Sequence, residues 1–125
     1  MHAPLVFVAD DDPLLLGLLE HKLAGAGFRV ESAADGQAAL EGVRRSRPDC
    51  VVLDAMMPVM DGFETLRRLK ADPALKHIPV VMLTALRQEE HVVGALKLGA
   101  ADYLPKPFIP DELLARLTRL VPVAA

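Results

Sequence analysis

Three short runs of this chain are apolar almost throughout: LVFVA at 5–9, CVVL at 50–53 and IPVVML at 78–83. A strand with one wet face alternates apolar and polar residues. Runs as continuous as these need cover on both faces, which is the signature of a buried parallel sheet. Five stretches with apolar residues at helical spacing supply that cover. They are 13–27, 35–48, 61–73, 89–100 and 110–121. Their ends carry local signals. Asp12 precedes Pro13 as an N-cap, and Gly27 sits just past the other end. Asp35 and Asp61 open the second and third helices. Pro48 stops the second, Gly99 stops the fourth, and Pro110 with Asp111 starts the fifth. FRVESA at 28–33 alternates as a half-buried strand, and ADYLPKP at 101–107 holds a short fifth one. The order is therefore strand then helix, five times over. Short connections and right-handed crossovers turn that order into an α/β fold, a parallel sheet with helices on both faces. At 125 residues the chain suits a single domain, 1–125, with no output domain in it.

In such sheets the site lies beyond the carboxyl ends of the strands, near the point where strand order reverses. The first strand ends in Asp10, Asp11 and Asp12. The third ends in Asp54, the fourth in Thr84, and Lys106 follows the fifth. Crowded carboxylates repel one another unless a cation intervenes. An oxygen-only set of two or three acids suits Mg²⁺, which takes one or two carboxylates together with phosphate oxygens. A lysine and a hydroxyl nearby suit a phosphoryl group. Aspartate can itself be the nucleophile, forming an acyl phosphate.

VADDDP, LDAMMPVMDG, PVVMLTA and GAADYLPKPF, taken together, resemble the receiver domains of two-component response regulators over essentially the whole chain. Thr84 lies 30 residues after Asp54 and Lys106 lies 52 after it, and both spacings match that family. The resemblance implies a flavodoxin-like five-stranded sheet of order 2-1-3-4-5. It implies that Asp54 is phosphorylated by a sensor histidine kinase or a phosphotransfer protein. Asp11 would bind Mg²⁺ directly and Asp10 mostly through water, with Asp54 and the backbone carbonyl of Met56 as further ligands; Mn²⁺ would substitute. Thr84 and Lys106 would hold the phosphoryl oxygens. Lys106-Pro107 resembles the family's cis peptide. Tyr103 occupies the place of an aromatic switch that would move inward, following Thr84, and reshape the face of helix 4, strand 5 and helix 5. That face would meet a downstream effector or an output domain, and the chain would be a monomer or a phosphorylation-dependent dimer. The chain would be a signalling phosphoacceptor rather than an enzyme with a separate substrate. Met56 and Leu86 are apolar where many relatives are polar, which implies a dry site and a long-lived phosphoryl group.

Other readings fit less well. A degenerate receiver that only binds partners conflicts with the intact set of acids, threonine and lysine. A phosphatase would need an acid or base and a lid that loops this short do not offer. A flavin phosphate would be repelled by Asp10, Asp11 and Asp12. A net charge of -3 gives no drive toward nucleic acid or an anionic membrane. No apolar run approaches the roughly 18 residues of a membrane span. Cys50 stands alone in an apolar run, so a buried thiol in a reducing cytoplasm is expected. Soft thioethers do not suit Mg²⁺, so Met57 and Met60 read as packing. Asp61-Gly62 reads as a turn and cap. Arg67, Arg68 and Lys70 read as a solvated helix face, and the four histidines share no ligand spacing.

Overall fold

A computed structural model describes residues 3–85 and 89–121; the side chains of residues 89–91 lie outside that description. The elements are β1 (Leu5–Ala9), α1 (Pro13–Gly25), β2 (Arg29–Ala33), α2 (Gly36–Ser46) and β3 (Cys50–Asp54), followed by α3 (Gly62–Ala71), β4 (Val80–Thr84), α4 (Glu89–Lys97), β5 (Asp102–Pro105) and α5 (Pro110–Leu120). The strands form one sheet of order β2-β1-β3-β4-β5, and every described pairing is parallel. This is the expected flavodoxin-like order. It puts the reversal point between β1 and β3, so their carboxyl ends open onto one crevice.

The sheet divides the core into two layers. Phe7, Val51, Leu53, Val80, Met82 and Tyr103 face the cluster that includes residues of α2, α3 and α4. Val6, Val8, Cys50, Val52, Val81, Leu83 and Leu104 face the cluster built with Leu19 and Leu23 of α1 and Leu113 and Leu117 of α5. The strict alternation follows from the two-residue period of a strand. Every residue of β1, β3 and β4 is buried, as their unbroken apolarity predicts. Each buried leucine contributes about 2 kcal/mol over an exposed one.

The helix ends follow the local signals. The side chain of Asp12 accepts hydrogen bonds from the N–H groups of Leu14 and Leu15 at 3.0 and 3.3 Å. Asp35 accepts from Ala38 and Asp61 from Glu64, both at 2.8 Å. Past α1 the N–H of Phe28 reaches the Leu23 carbonyl, and past α4 the N–H of Ala100 reaches that of Ala95. Both are Schellman closures, and both pass through a glycine, Gly27 at φ 99° and Gly99 at φ 107°. A side chain at either position would cost about 1–2 kcal/mol. Helix α4 consequently ends at Lys97, short of residue 100. Helix α2 ends at Ser46 because Arg47 takes the left-handed conformation at φ 48° and donates its N–H to Val43.

Two details depart from expectation. Lys70 is not a solvated lysine of the α3 face: its Nζ donates to the carbonyls of Lys76 and Ile78 at 3.0 and 2.7 Å. Burial pushes its pKa down. The β3–α3 loop also contains a strained residue, Val59 at φ 70°. The N–H of Met60 reaches the Pro58 carbonyl at 2.8 Å, closing a three-residue γ-turn around it. Left-handed backbone costs an ordinary residue about 1–2 kcal/mol, and valine is less suited to it than most.

Candidate functional site

Strand β1 delivers Asp10 and β3 delivers Asp54 at adjacent strand ends. Both are buried, at 0% and 5% exposure. A short, fully covered strand leaves such a carboxylate little freedom, which answers why an apolar run should terminate in one. Lys106, one residue past β5, reaches back over this pair. Its Nζ lies 2.9 Å from Asp10 Oδ2 and 3.3 Å from Asp54 Oδ1. The Lys106-Pro107 peptide is cis, as expected. The other oxygen of Asp10 accepts from the N–H of Asp12 at 2.9 Å. Asp11 stands at the mouth, exposed. Ligand atoms of Asp10, Asp11 and Asp54 all lie within 4.8 Å of one another.

The electrostatics follow from this crowding. Burial raises the pKa of Asp54, and the neighbouring Asp10 raises it further. Lys106 and the backbone N–H of Met56 work against that rise without cancelling it. Lys106 loses hydration, which pulls its pKa down, but Asp10 and Asp54 together bring it above its ordinary value. Three carboxylates around one ammonium leave an excess of negative charge in a set of hard oxygen donors. That fits a small divalent cation of the Mg²⁺ type. The thioethers do not compete: Met57 and Met60 are 8% and 9% exposed and belong to the core.

Thr84 ends β4, fully buried, and its carbonyl accepts the N–H of Lys106 at 2.7 Å. Strand alternation puts its side chain on the face that Met82 and Tyr103 share. Tyr103 is 7% exposed, so the described conformation is the inward one. Met56 is 61% exposed beside Asp54. Leu86, its expected counterpart after Thr84, lies outside the described residues. Cys50 is buried with its thiol pushed up to about 12 by that burial, at the far end of β3 from the site.

One positioning residue was read too modestly from sequence. Gly62 opens α3 against the backbone of Asp54 itself. A Cβ there would lie 2.2 Å from the Asp54 carbonyl oxygen, and the N–H of Gly62 donates to the Ala55 carbonyl at 2.9 Å. Asp61-Gly62 signals a cap; that the glycine touches the strand end eight residues earlier is a long-range fact that the dipeptide does not carry.

Residues 6–118 match the family described as the response regulator receiver domain. The DNA-binding response regulator MtrA of Mycolicibacterium smegmatis is 46% identical over 90% of this chain and 48% of its own length. The response regulator PleD of Caulobacter vibrioides is 44% identical over 92% of this chain and 25% of its own. The chain thus spans about half or less of these relatives. The chemotaxis response regulator CheY4 of Vibrio cholerae superimposes with a TM-score of 0.89 at 36% identity, covering 97% of this chain and all of that one. The receiver domain of sensor histidine kinase PA1611 from Pseudomonas aeruginosa, described with a magnesium ion coordinated in its active site cleft, gives 0.85 at 31% identity, covering 94% and 97%. With the family model matched over residues 6–118 and the sheet in the order β2-β1-β3-β4-β5, this chain belongs to the response regulator receiver domain family.

Proposed function

We propose that the chain is a phosphoacceptor of a two-component phosphorelay, taking a phosphoryl group onto Asp54. The observation that carries this is the buried Asp54 carboxylate, 3.3 Å from Lys106 Nζ and grouped with the acids of Asp10 and Asp11. A carboxylate oxygen of Asp54 attacks phosphorus on a phosphohistidine. The new O–P bond forms as the P–N bond breaks, and its electron pair returns to the imidazole nitrogen that leaves. Lys106 meets the phosphoryl oxygens as a fixed positive charge, at no cost of reorganisation. The Thr84 hydroxyl donates to another of them. A Mg²⁺ ion held by Asp11, Asp10, Asp54 and the Met56 carbonyl would supply further positive charge against those oxygens, and Mn²⁺ would suit the same donors.

Phosphorylation becomes a signal through Thr84 and Tyr103. Drawing the Thr84 hydroxyl toward Asp54 empties space on the face where Tyr103 already packs inward, which holds the ring there and so sets the surface of α4, β5 and α5. An effector protein or an attached output domain reads that surface; dimerisation through it is an equivalent readout. The exposed Met56 shields the acyl phosphate from water, so Met56→Asn shortens the phosphoryl lifetime. The donor is a protein of the histidine kinase or phosphotransfer type in the cytoplasm. Among the described residues no helix is long and apolar enough to cross a membrane.

The test is intact mass after incubation with acetyl phosphate, with and without Mg²⁺, on wild type and Asp54→Ala. One added phosphoryl group that requires both Mg²⁺ and Asp54 is expected. An adduct that survives Asp54→Ala would sink the assignment.

A further inference from the structure

The methionines among the described residues differ sharply in access. Met82 lies inside β4 at 0% exposure, and Met57 and Met60 pack into the core at 8% and 9%. Met56 is 61% exposed. It stands two residues past Asp54, and its backbone N–H donates to the Asp54 carboxylate, which fixes its place beside the acceptor. At that exposure the side chain gains little from burial, so the fold does not depend on it. A thioether sulfur is also a nucleophile. Peroxides convert it to the sulfoxide, a flexible apolar side chain becomes a polar one, and reductases reverse the change. The reaction requires that the oxidant reach the sulfur, which the core denies to Met57, Met60 and Met82. Cys50, the one cysteine, is buried with its thiol pushed up to about 12, so the reactive thiolate is absent at neutral pH. Among the described residues, mild oxidation is thereby directed to a single sulfur, and that sulfur stands at the rim of the acceptor.

We infer that Met56 is a reversible oxidation site for peroxides, and that its sulfoxide shortens the life of the phosphoryl group on Asp54. This rests on the phosphoacceptor reading. The Met56 sulfur attacks one oxygen of hydrogen peroxide. The S–O bond forms as the O–O bond breaks, and the hydroxide that leaves takes up the proton of the transferred oxygen and departs as water. Sulfur gives up two electrons, and the peroxide is reduced by two. As a thioether, Met56 turns an apolar surface to the acyl phosphate and is only a weak acceptor for water. As a sulfoxide it carries a strong acceptor oxygen in the same place, where it holds a water against phosphorus. Hydrolysis needs a water so positioned. Oxidation leaves the net charge and the Met56 N–H and carbonyl as they were, so Asp54 is still phosphorylated. The phosphorylated fraction falls under oxidising conditions with no change to Asp54, Thr84 or Lys106.

Wild type and Met56→Leu are treated with dilute hydrogen peroxide, and the oxidised methionines are located by peptide mass spectrometry. Each protein is then phosphorylated with acetyl phosphate and Mg²⁺ and freed of donor. Loss of the phosphoryl group is followed by intact mass, each protein against its own untreated sample. Met56 should oxidise ahead of Met57, Met60 and Met82. The wild-type half-life should then fall by about three- to tenfold, as one added hydrogen bond to the attacking water would give. Reductases for both sulfoxide epimers should restore it. Met56→Leu should lose its phosphoryl group equally fast before and after peroxide. Equal oxidation of the buried methionines, an unchanged or longer half-life once Met56 is oxidised, or the same peroxide response in Met56→Leu each overturns the inference and leaves Asp54 as acceptor. An untreated wild type that acetyl phosphate does not modify at Asp54 overturns the acceptor reading and this inference together.

Discussion

Asp54 is held in a state that its own chemistry resists. Its folded-state pKa is raised by burial and by Asp10. Linkage fixes the sign: the protonated form stabilises the fold at low pH, and that contribution is lost as pH rises through the raised value. At neutral pH the ionised Asp54 carboxylate therefore costs stability. Asp54→Asn removes the charge and leaves Lys106 its 2.9 Å partner Asp10. In metal-free buffer at pH 7.5 we expect that variant to melt higher, by about 1 kcal/mol or roughly 3–6 °C for a domain of this size. The gain should shrink on acidification, as wild-type Asp54 takes up its proton above the ordinary carboxylate range. An unchanged or lower Tm at pH 7.5 would contradict the electrostatic account. Much of this site was legible residue by residue, because acids, threonine and lysine sit at strand ends that apolarity alone locates. The inward Tyr103 was not. Its side-chain position depends on packing against a cluster gathered from several elements, which no local pattern encodes.

At the scale of elements, the ends read from sequence were those set by nearby hydrogen bonds. The caps Asp12, Asp35 and Asp61 each accept from N–H groups two or three residues on, so composition within one turn reveals them. Lys70 and Gly62 escaped because their partners lie on other elements: the carbonyls before β4 for one, the end of β3 for the other. Gly62 has the larger functional weight. Gly62→Ala forces α3 away from the Asp54 carbonyl, which a shift of a few tenths of an ångström does not relieve. Overpacking of this kind costs about 1–3 kcal/mol. We expect lower Tm and slower phosphorylation of Asp54, measured by melting and by intact mass. Normal stability with a normal rate would show that the loop yields freely.

For the whole molecule, strand order does the assembling. Placing β1 beside β3 joins acids far apart in sequence, and carrying β5 to the edge lets Lys106 reach back 96 residues to Asp10. The fold was legible to this level because three unbroken apolar strands admit few arrangements other than a covered parallel sheet. The separation of the core into two layers has its own consequence. Tyr103 packs wholly on the layer of α2, α3 and α4, while Leu19, Leu23, Leu113 and Leu117 belong to the other. The sheet works as a partition wall, with the Tyr103 side chain of the proposed switch in one room and the leucines shared by α1 and α5 in the other. Leu113→Ala should cost about 2–5 kcal/mol by cavity formation. It should leave the Tyr103 ring resonances in NMR spectra nearly where they were. Lineages of such a domain could then drift in heat tolerance by repacking one room, while the packing around Tyr103, on which the proposed switch depends, stays in the other as selection left it.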